Sequence, residues 1–252
     1  RPDLVFHLAS HVSGSRDLDL VATTLRDNLL TTVNVLTSAS RSGRPRVLLA
    51  GSNEQVDDGA TNGVPGSPYS AAKTSSLVYA RMFHALYGLP VVNLRTFMVY
   101  GPEQRDGSKL IPYVTTSLLR HEAPALTSGT RLIDWIYIDD VVDAYLAAAL
   151  SERADGHTIA IGSGELASIR TVVQLLADLT DAKVEPRFGA VPDRELEDAR
   201  RADIAETHDL IGWRPKVPLV EGLRRTTEWF RARDDLDQPV RTFAGETPAS
   251  CS

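Results

Sequence analysis

The strongest constraint on how this chain folds lies between Val47 and Lys73. Val47, Leu48, Leu49 and Ala50 form a short apolar run of the kind shown by a strand buried on both faces. The run stops at Gly51 and Ser52, and a polar loop with Gly59, Gly63, Pro65, Gly66 and Pro68 follows. A helical pattern then opens at Tyr69 and continues through Leu77, Tyr79, Ala80 and Phe83. Tyr69 and Lys73 are therefore helical neighbours one turn apart.

That spacing has a chemical use. A phenol with a pKa near ~10 is a poor base at neutral pH. An ammonium one turn away and the positive end of a helix both favour the phenolate, so the pair is expected to exchange a proton with a substrate hydroxyl. Ser52, delivered from the end of the neighbouring strand, is placed to hydrogen-bond the same substrate oxygen. The Tyr and Lys spacing alone is a weak signal, and its context, a helix start after an apolar strand ending in a hydroxyl residue, carries the reading.

The rest of the chain repeats this alternation. Asp3 to Leu8 reads as a buried parallel strand, Ser10 to Asp19 as a polar loop, and Val21 to Ser40 as a long helix carrying Asn28 and Asn34. Asn competes for backbone groups, so two inside one helix invite a reason. The Tyr69 helix is expected to end at Gly88, with Pro90 blocking continuation and Val91 to Thr96 as the next strand. Strands separated by crossovers long enough for a helix imply a doubly wound parallel sheet, whose ligands bind beyond the carboxyl ends of the strands, where Ser52 and Thr96 sit. From Phe97 the pieces are shorter and mixed: helix Lys109 to Arg120, strand Ile133 to Ile138, helix Val141 to Leu150, strand His157 to Ile161 and an amphipathic helix Leu219 to Trp229. Gly162-Ser163-Gly164-Glu165-Leu166-Ala167 has the spacing of a dinucleotide fingerprint, but a turn with Ser168 capping the helix to Leu179 explains it more simply. The expected organisation is a dinucleotide-binding part over 1–96, a mainly substrate-binding part over 97–232 interleaved with the last sheet elements, and a disordered tail over 233–252.

Composition narrows the class. With 252 residues, 42% of them hydrophobic, the chain can bury a sizeable core. A formal net charge of −6 argues against a nucleic acid or an anionic membrane as partner. No apolar run approaches the ~18 residues that cross a bilayer. Cys251 is the single cysteine, so no internal disulfide and no cysteine metal cluster is expected, and a reducing cytoplasm fits. No metal site is expected. Met82 and Met98 are the two methionines and the chain opens at Arg1 inside an apolar run, so a fragment or processed chain is expected.

The segments Asp3-Leu4-Val5-Phe6-His7-Leu8-Ala9, Asn28 to Leu36, Gly51-Ser52-Asn53-Glu54 and Tyr69-x-x-x-Lys73 occur in an order that resembles the extended short-chain dehydrogenase/reductases acting on nucleotide sugars. Leu94-Arg95, Val99-Tyr100-Gly101-Pro102, Asp134-Trp135, Asp139-Asp140-Val141 and Gly212-Trp213-Arg214-Pro215 continue the resemblance over nearly the whole chain. It implies a Rossmann-like sheet whose first strand-helix units, with the glycine-rich pyrophosphate turn, lie upstream. It implies NAD or NADP as cofactor, bound by His7, Ala9, Asn28, Tyr69, Lys73 and Thr96, although a histidine at a strand end is more often a satisfied core residue. Tyr69 would be the acid/base, Lys73 would hold the nicotinamide ribose and lower the Tyr69 pKa, and Ser52 would orient the substrate hydroxyl. A homodimer through the helices starting near Val21 and Tyr69 is also implied.

Two departures bear on the substrate. Met98 stands where many relatives carry Asn, and Ile133 where an Arg often grips the pyrophosphate. Arg131, two positions earlier on the expected strand, could replace that charge, with Lys109, Arg194, Arg200 and Arg201 as further candidates. Dehydratases of the family often carry Asp and Glu where this chain has Asn53 and Glu54, and an amide cannot donate a proton as an acid does. The expected function is thus a nucleotide-sugar epimerase. A 4-ketoreductase using NADPH, a 4,6-dehydratase and a non-catalytic dinucleotide-binding relative are the alternatives.

Overall fold

A computed structural model describes residues 1–56, 63–193 and 199–233. In chain order the elements are β1 (Leu4–His7), α1 (Leu20–Thr24), a π-helical stretch Leu25–Leu30, α2 (Thr31–Arg41), β2 (Arg46–Ala50), α3 (Pro68–Tyr87), β3 (Val91–Thr96), β4 (Met98–Tyr100) and α4 (Leu110–Leu119). They continue as β5 (Ala125–Leu126), β6 (Leu132–Tyr137), α5 (Ile138–Leu150), β7 (Thr158–Ile161), β8 (Leu166–Ser168), α6 (Ile169–Thr180), β9 (Arg187–Phe188), α7 (Ile204–Ile211) and α8 (Leu219–Arg231). The chain divides into two compact units: 1–98 with 139–164 and 202–215, and 99–138 with 165–201 and the described residues from Lys216 on. Among the described residues no helix is long and apolar enough to cross a membrane.

The first unit is built on a parallel sheet in the order β1-β2-β3-β7. Its register pairs Val5 with Val47, Leu48 with Val92 and Leu94 with Ile159. Alternation along each strand divides the core. Val47, Leu49 and Val91 pack with Leu36 and Ala39 of α2 and with Ala80 and Phe83 of α3, while Leu48, Val92 and Leu94 on the opposite pleat are fully buried as well. Each such Leu or Val contributes roughly 2 kcal/mol of burial. The α/β reading of the strand and helix alternation holds.

Helix α3 has the ends that its sequence promises. Ser67 accepts a hydrogen bond from Ser70 N at 3.1 Å, Pro68 opens the first turn, and Gly88 closes the last in the left-handed region at φ 61°. The long helix expected over Val21 to Ser40 differs: residues 25–30 run as π-helix, a local widening that hydrophobic periodicity does not report. The glycine-spaced stretch after β7 is a turn, with Gly164 at φ +77°, that leads into β8, and Ser168 caps α6 by accepting from Thr171 N at 3.0 Å.

In the second unit the sheet order is β4-β6-β8, with β6 and β8 antiparallel and Ile133 opposite Ala167. Arg131 stands just outside β6, which starts at exposed Leu132 and is buried from Ile133 on. Val114 and Leu118 of α4, Val172 and Leu176 of α6, and Leu223 and Phe230 of α8 are buried in this unit. Gly222 is fixed by close approach. A Cβ there would run into the Tyr100 hydroxyl, which donates to Leu219 O at 3.2 Å, and would stand 2.9 Å from the Tyr137 ring. Gly222→Ala is therefore expected to lower stability by about 1–3 kcal/mol in a denaturant melt, against the helix preference for Ala. An unchanged or higher midpoint would show that Tyr100 repacks freely.

Candidate active site

The site grows from the carboxyl end of β2. Beyond Ala50 the chain stays beside β3, with Gly51 N donating to Leu94 O at 2.8 Å and Asn53 N to Thr96 O at 3.0 Å. Gly51 has room for no side chain: a Cβ would lie 2.8 Å from Asn93 Oδ1 and 2.9 Å from Leu94 O. These contacts hold Ser52, buried at 6% exposure, at the strand end. Its Oγ accepts from Glu54 N at 3.2 Å and is near enough to the Tyr69 hydroxyl to favour its phenolate.

Tyr69 and Lys73 lie on successive turns of α3, each 8% exposed. Ser10, from the loop after β1, also stands near the Tyr69 hydroxyl and acts on it weakly. Lys73 Nζ donates to Ala50 O at 2.7 Å and lies 5.7 Å from the Tyr69 ring centroid. Tyr69, Ser52, Ser10 and Lys73 are thus gathered at the carboxyl ends of β1 and β2.

Their electrostatics correct one expectation. Spacing predicted a phenol pulled below its ordinary pKa by Lys73. Burial instead pushes Tyr69 up to about 12, with the neighbouring Ser52 and, more weakly, Ser10 opposing it and the nearby Glu54 and Tyr145 reinforcing it. Burial likewise pulls Lys73 down to about 8. Withdrawal from water raises the one and lowers the other because each charged form loses hydration.

Asn28 explains its place in a helix interior. It lies in the π-helical stretch at 2% exposure, accepting on Oδ1 from Ser10 Oγ at 3.0 Å and His11 N at 2.6 Å, and donating to His11 O at 3.0 Å. Asn28 thereby holds Ser10, which in turn meets Tyr69. Its carbonyl accepts from Thr32 Oγ1 at 2.7 Å, and Thr32 pairs with His7 Nε2 at 3.1 Å. His7 is buried, and burial, aided by Lys73, lowers its pKa, so it is a neutral, satisfied core histidine. Ala9 is exposed in the loop between His7 and Ser10.

The structure places the other candidates as follows. Thr96 Oγ1 lies 2.9 Å from the Tyr145 hydroxyl, at the carboxyl end of β3. Exposed Glu54 accepts from Ser67 Oγ at 3.3 Å, and its carbonyl accepts from Ser70 Oγ at 2.6 Å, which ties the loop to the start of α3. Asn53 and Met98 are half-buried, Met98 at the start of β4. Lys109, at the N-cap position of α4, and Arg131 belong to the second unit. Arg194 lies outside the described residues. Sequence reasoning missed Ser10 and Tyr145. Ser10 had a signal, as a hydroxyl just past a parallel strand's carboxyl end. Tyr145 had none, since it arrives on α5 from a distant part of the chain.

A parallel α/β sheet with a buried phenol, ammonium and hydroxyl pair at its carboxyl edge defines an enzyme of the dinucleotide-dependent α/β class. Residues 1–162 match the NAD dependent epimerase/dehydratase family, and the chain belongs to that family. It is 30% identical to a UDP-glucose 4-epimerase of Mycolicibacterium smegmatis, over 92% of this chain and 77% of the relative. It is equally 30% identical to a dTDP-glucose 4,6-dehydratase of Actinoplanes, over 92% of this chain and 74% of that one. Among solved structures, the UDP-glucose 4-epimerase of Thermotoga maritima with UDP-glucose superposes at a TM-score of 0.81 with 30% identity, covering 91% of this chain and 77% of the other. The cofactor class is accordingly NAD or NADP.

The residues present fit the nicotinamide end of such a dinucleotide. An ammonium has three donors and Ala50 O takes one of those of Lys73, beside a phenol and a serine hydroxyl. The glycine turn after β7 does not fit the pyrophosphate, because the Gly164 Cβ position lies 2.6 Å from Ile204 Cγ1.

Proposed function

We propose that the chain catalyses the epimerisation of a nucleotide-linked sugar through reversible oxidation of one sugar carbon. The observation that carries this reading is the meeting of Ser52 and Tyr69 hydroxyls with Lys73 one turn away. Nicotinamide, when bound, supplies the hydride acceptor and donor. Tyr69 takes the proton of the sugar hydroxyl during oxidation and returns it during reduction, while Ser52 holds the same oxygen. Lys73 would hold the ribose hydroxyls, and its charge would favour the phenolate that accepts the sugar proton. Asn28 acts from behind through Ser10. Asn53 and Met98 are proposed to face the nucleotide sugar.

One observation favours a 4-ketoreductase as the second reading. A phenol with a pKa of about 12 is a standing proton donor, suited to a keto oxygen receiving hydride. Dehydration is less well served, because Asn53 cannot act as an acid and Glu54 is engaged with Ser67. A homodimer is proposed through the helices of the first unit, where Val21, Leu25, Leu30, Val78, Tyr79 and Leu86 are exposed. The proposed location is the cytoplasm.

The test is to purify the full-length protein and look for nicotinamide dinucleotide by absorbance and mass. NAD retained stoichiometrically and not consumed over many turnovers is the expected result. An empty protein that binds NADPH reversibly supports the reductase, and one that takes up neither overturns both readings.

A further inference from the structure

Behind Ser52 lies a pair of buried amides. Gln55 is 1% exposed and Asn93, in the middle of β3 on the pleat it shares with Val91 and its partners Val47 and Leu49, is 3% exposed. Burying two amides there is unfavourable unless their polar atoms are paired. Gln55 Oε1 accepts from Ser52 N at 3.4 Å and from Asn93 Nδ2 at 3.1 Å. Its Nε2 donates to Lys73 O at 2.9 Å and to Asn93 Oδ1 at 3.3 Å. One side chain thus touches the loop that carries Ser52, the strand beside it and the turn of α3 that carries Lys73. Gly51 makes room for this arrangement, since a Cβ there would lie 2.9 Å from Gln55 Oε1. Val56 N donating to Thr74 Oγ1 at 3.0 Å adds a second tie between the same loop and α3.

We propose that Gln55, braced by Asn93, is a positioning residue that sets the Ser52 hydroxyl against Tyr69 and Lys73. Apolar side chains at 55 and 93 together would fill the same space with no amide left to pair, so packing alone does not call for amides there. What the amide adds is direction. It fixes the strand-end loop and the helix to one another at two polar points, and a hydrogen-bonded pair buried from water tolerates little displacement. The inference rests on the reading of Ser52, Tyr69 and Lys73 as the reacting set.

The test uses Gln55→Met, Asn93→Ala and the double variant in the full-length protein, with kcat expressed per folded molecule. A misplaced hydroxyl acts on the chemical step, so Gln55→Met is expected to lower kcat roughly 30- to 100-fold while KM for the nucleotide sugar moves less than about threefold. Because the two amides act as a unit, the double variant should be no slower than the worse single one. A kcat unchanged per folded molecule, or losses that multiply across the pair, would overturn the proposal. Should Gln55→Met not fold, Asn93→Ser carries the test, with about a fivefold fall in kcat expected and an unchanged kcat overturning it. Tyr69→Phe separates the two levels: an active Tyr69→Phe enzyme removes the reacting set itself, whereas an inactive one beside a normal Gln55→Met enzyme removes only the positioning role.

Discussion

Tyr69→Phe is expected to lower kcat by roughly 10²- to 10⁴-fold while leaving the protein folded, because it deletes the proton carrier and keeps the ring. The ring is buried and stays buried in the variant. What the fold loses is one buried hydroxyl, an effect on the order of 1 kcal/mol in a unit held by a buried sheet core. The catalytic loss is far larger than any change in folded fraction, so steady-state kinetics beside a thermal melt decide the matter. A kcat within tenfold of the parent with an intact melt would sink the assignment. The direction of reaction adds a second signature. With the phenol at about 12 in the free protein, roughly one molecule in 10⁵ carries phenolate at pH 7. Oxidation of the sugar hydroxyl by the free enzyme should therefore accelerate as pH rises, while proton donation to a keto sugar should be nearly flat below neutrality.

The sheet was legible because its central strands, β2 and β3, are buried on both faces, whereas β1, read as buried too, is an edge strand with Phe6 exposed. Runs such as Val47 to Ala50 and Val91 to Leu94 have few other ways to be satisfied, and the helices between them are bounded by strong punctuation, Ser67-Pro68 at one end and Gly88 at the other. The nearness of Ser52 to Tyr69 was legible for a related reason, since a hydroxyl ending one strand and a phenol opening the next helix must come near each other in a parallel sheet. The sign of the Tyr69 shift was not. Helical spacing gives the distance from Tyr69 to Lys73 but not how much water the remainder of the fold removes from both, and that removal decides the pKa. The π-helical stretch around Asn28 was hidden as well, for its apolar residues keep a helix-like period while the backbone widens. Gln55 and Asn93 escaped because neither residue type signals burial, and the bonds that satisfy them join strand, loop and helix across the sequence.

Lys73→Met should abolish turnover and at the same time stabilise the protein near neutral pH. The free energy follows from the pKa. In the folded protein Lys73 titrates at about 8, against 10.5 in the unfolded chain, because burial disfavours its charged form. Below pH 8 the folded state therefore carries an ammonium that the unfolded state solvates better, a cost of roughly 3 kcal/mol. Between about 8 and 10.5 the unfolded chain holds a proton that the folded one has released, so wild-type stability rises with pH and the cost is relieved. Methionine has nearly the same length and no charge. It forfeits the bond to Ala50 O, worth about 1 kcal/mol. The net gain near pH 7 is about 1–2 kcal/mol, or roughly 3–6 °C in melting temperature for a protein of this size. The gain should shrink through that window and be gone near pH 10.5, and the titration of Tyr69, common to both proteins, cancels from the difference. Melts of the two proteins at pH 7 and pH 10 check this: a less stable variant at pH 7, or a gain that persists unchanged at pH 10, would mean that Lys73 is solvated in the folded state. The expected result would instead show a charge kept at the site against the interest of the fold, retained because phenol chemistry needs a cation one turn away.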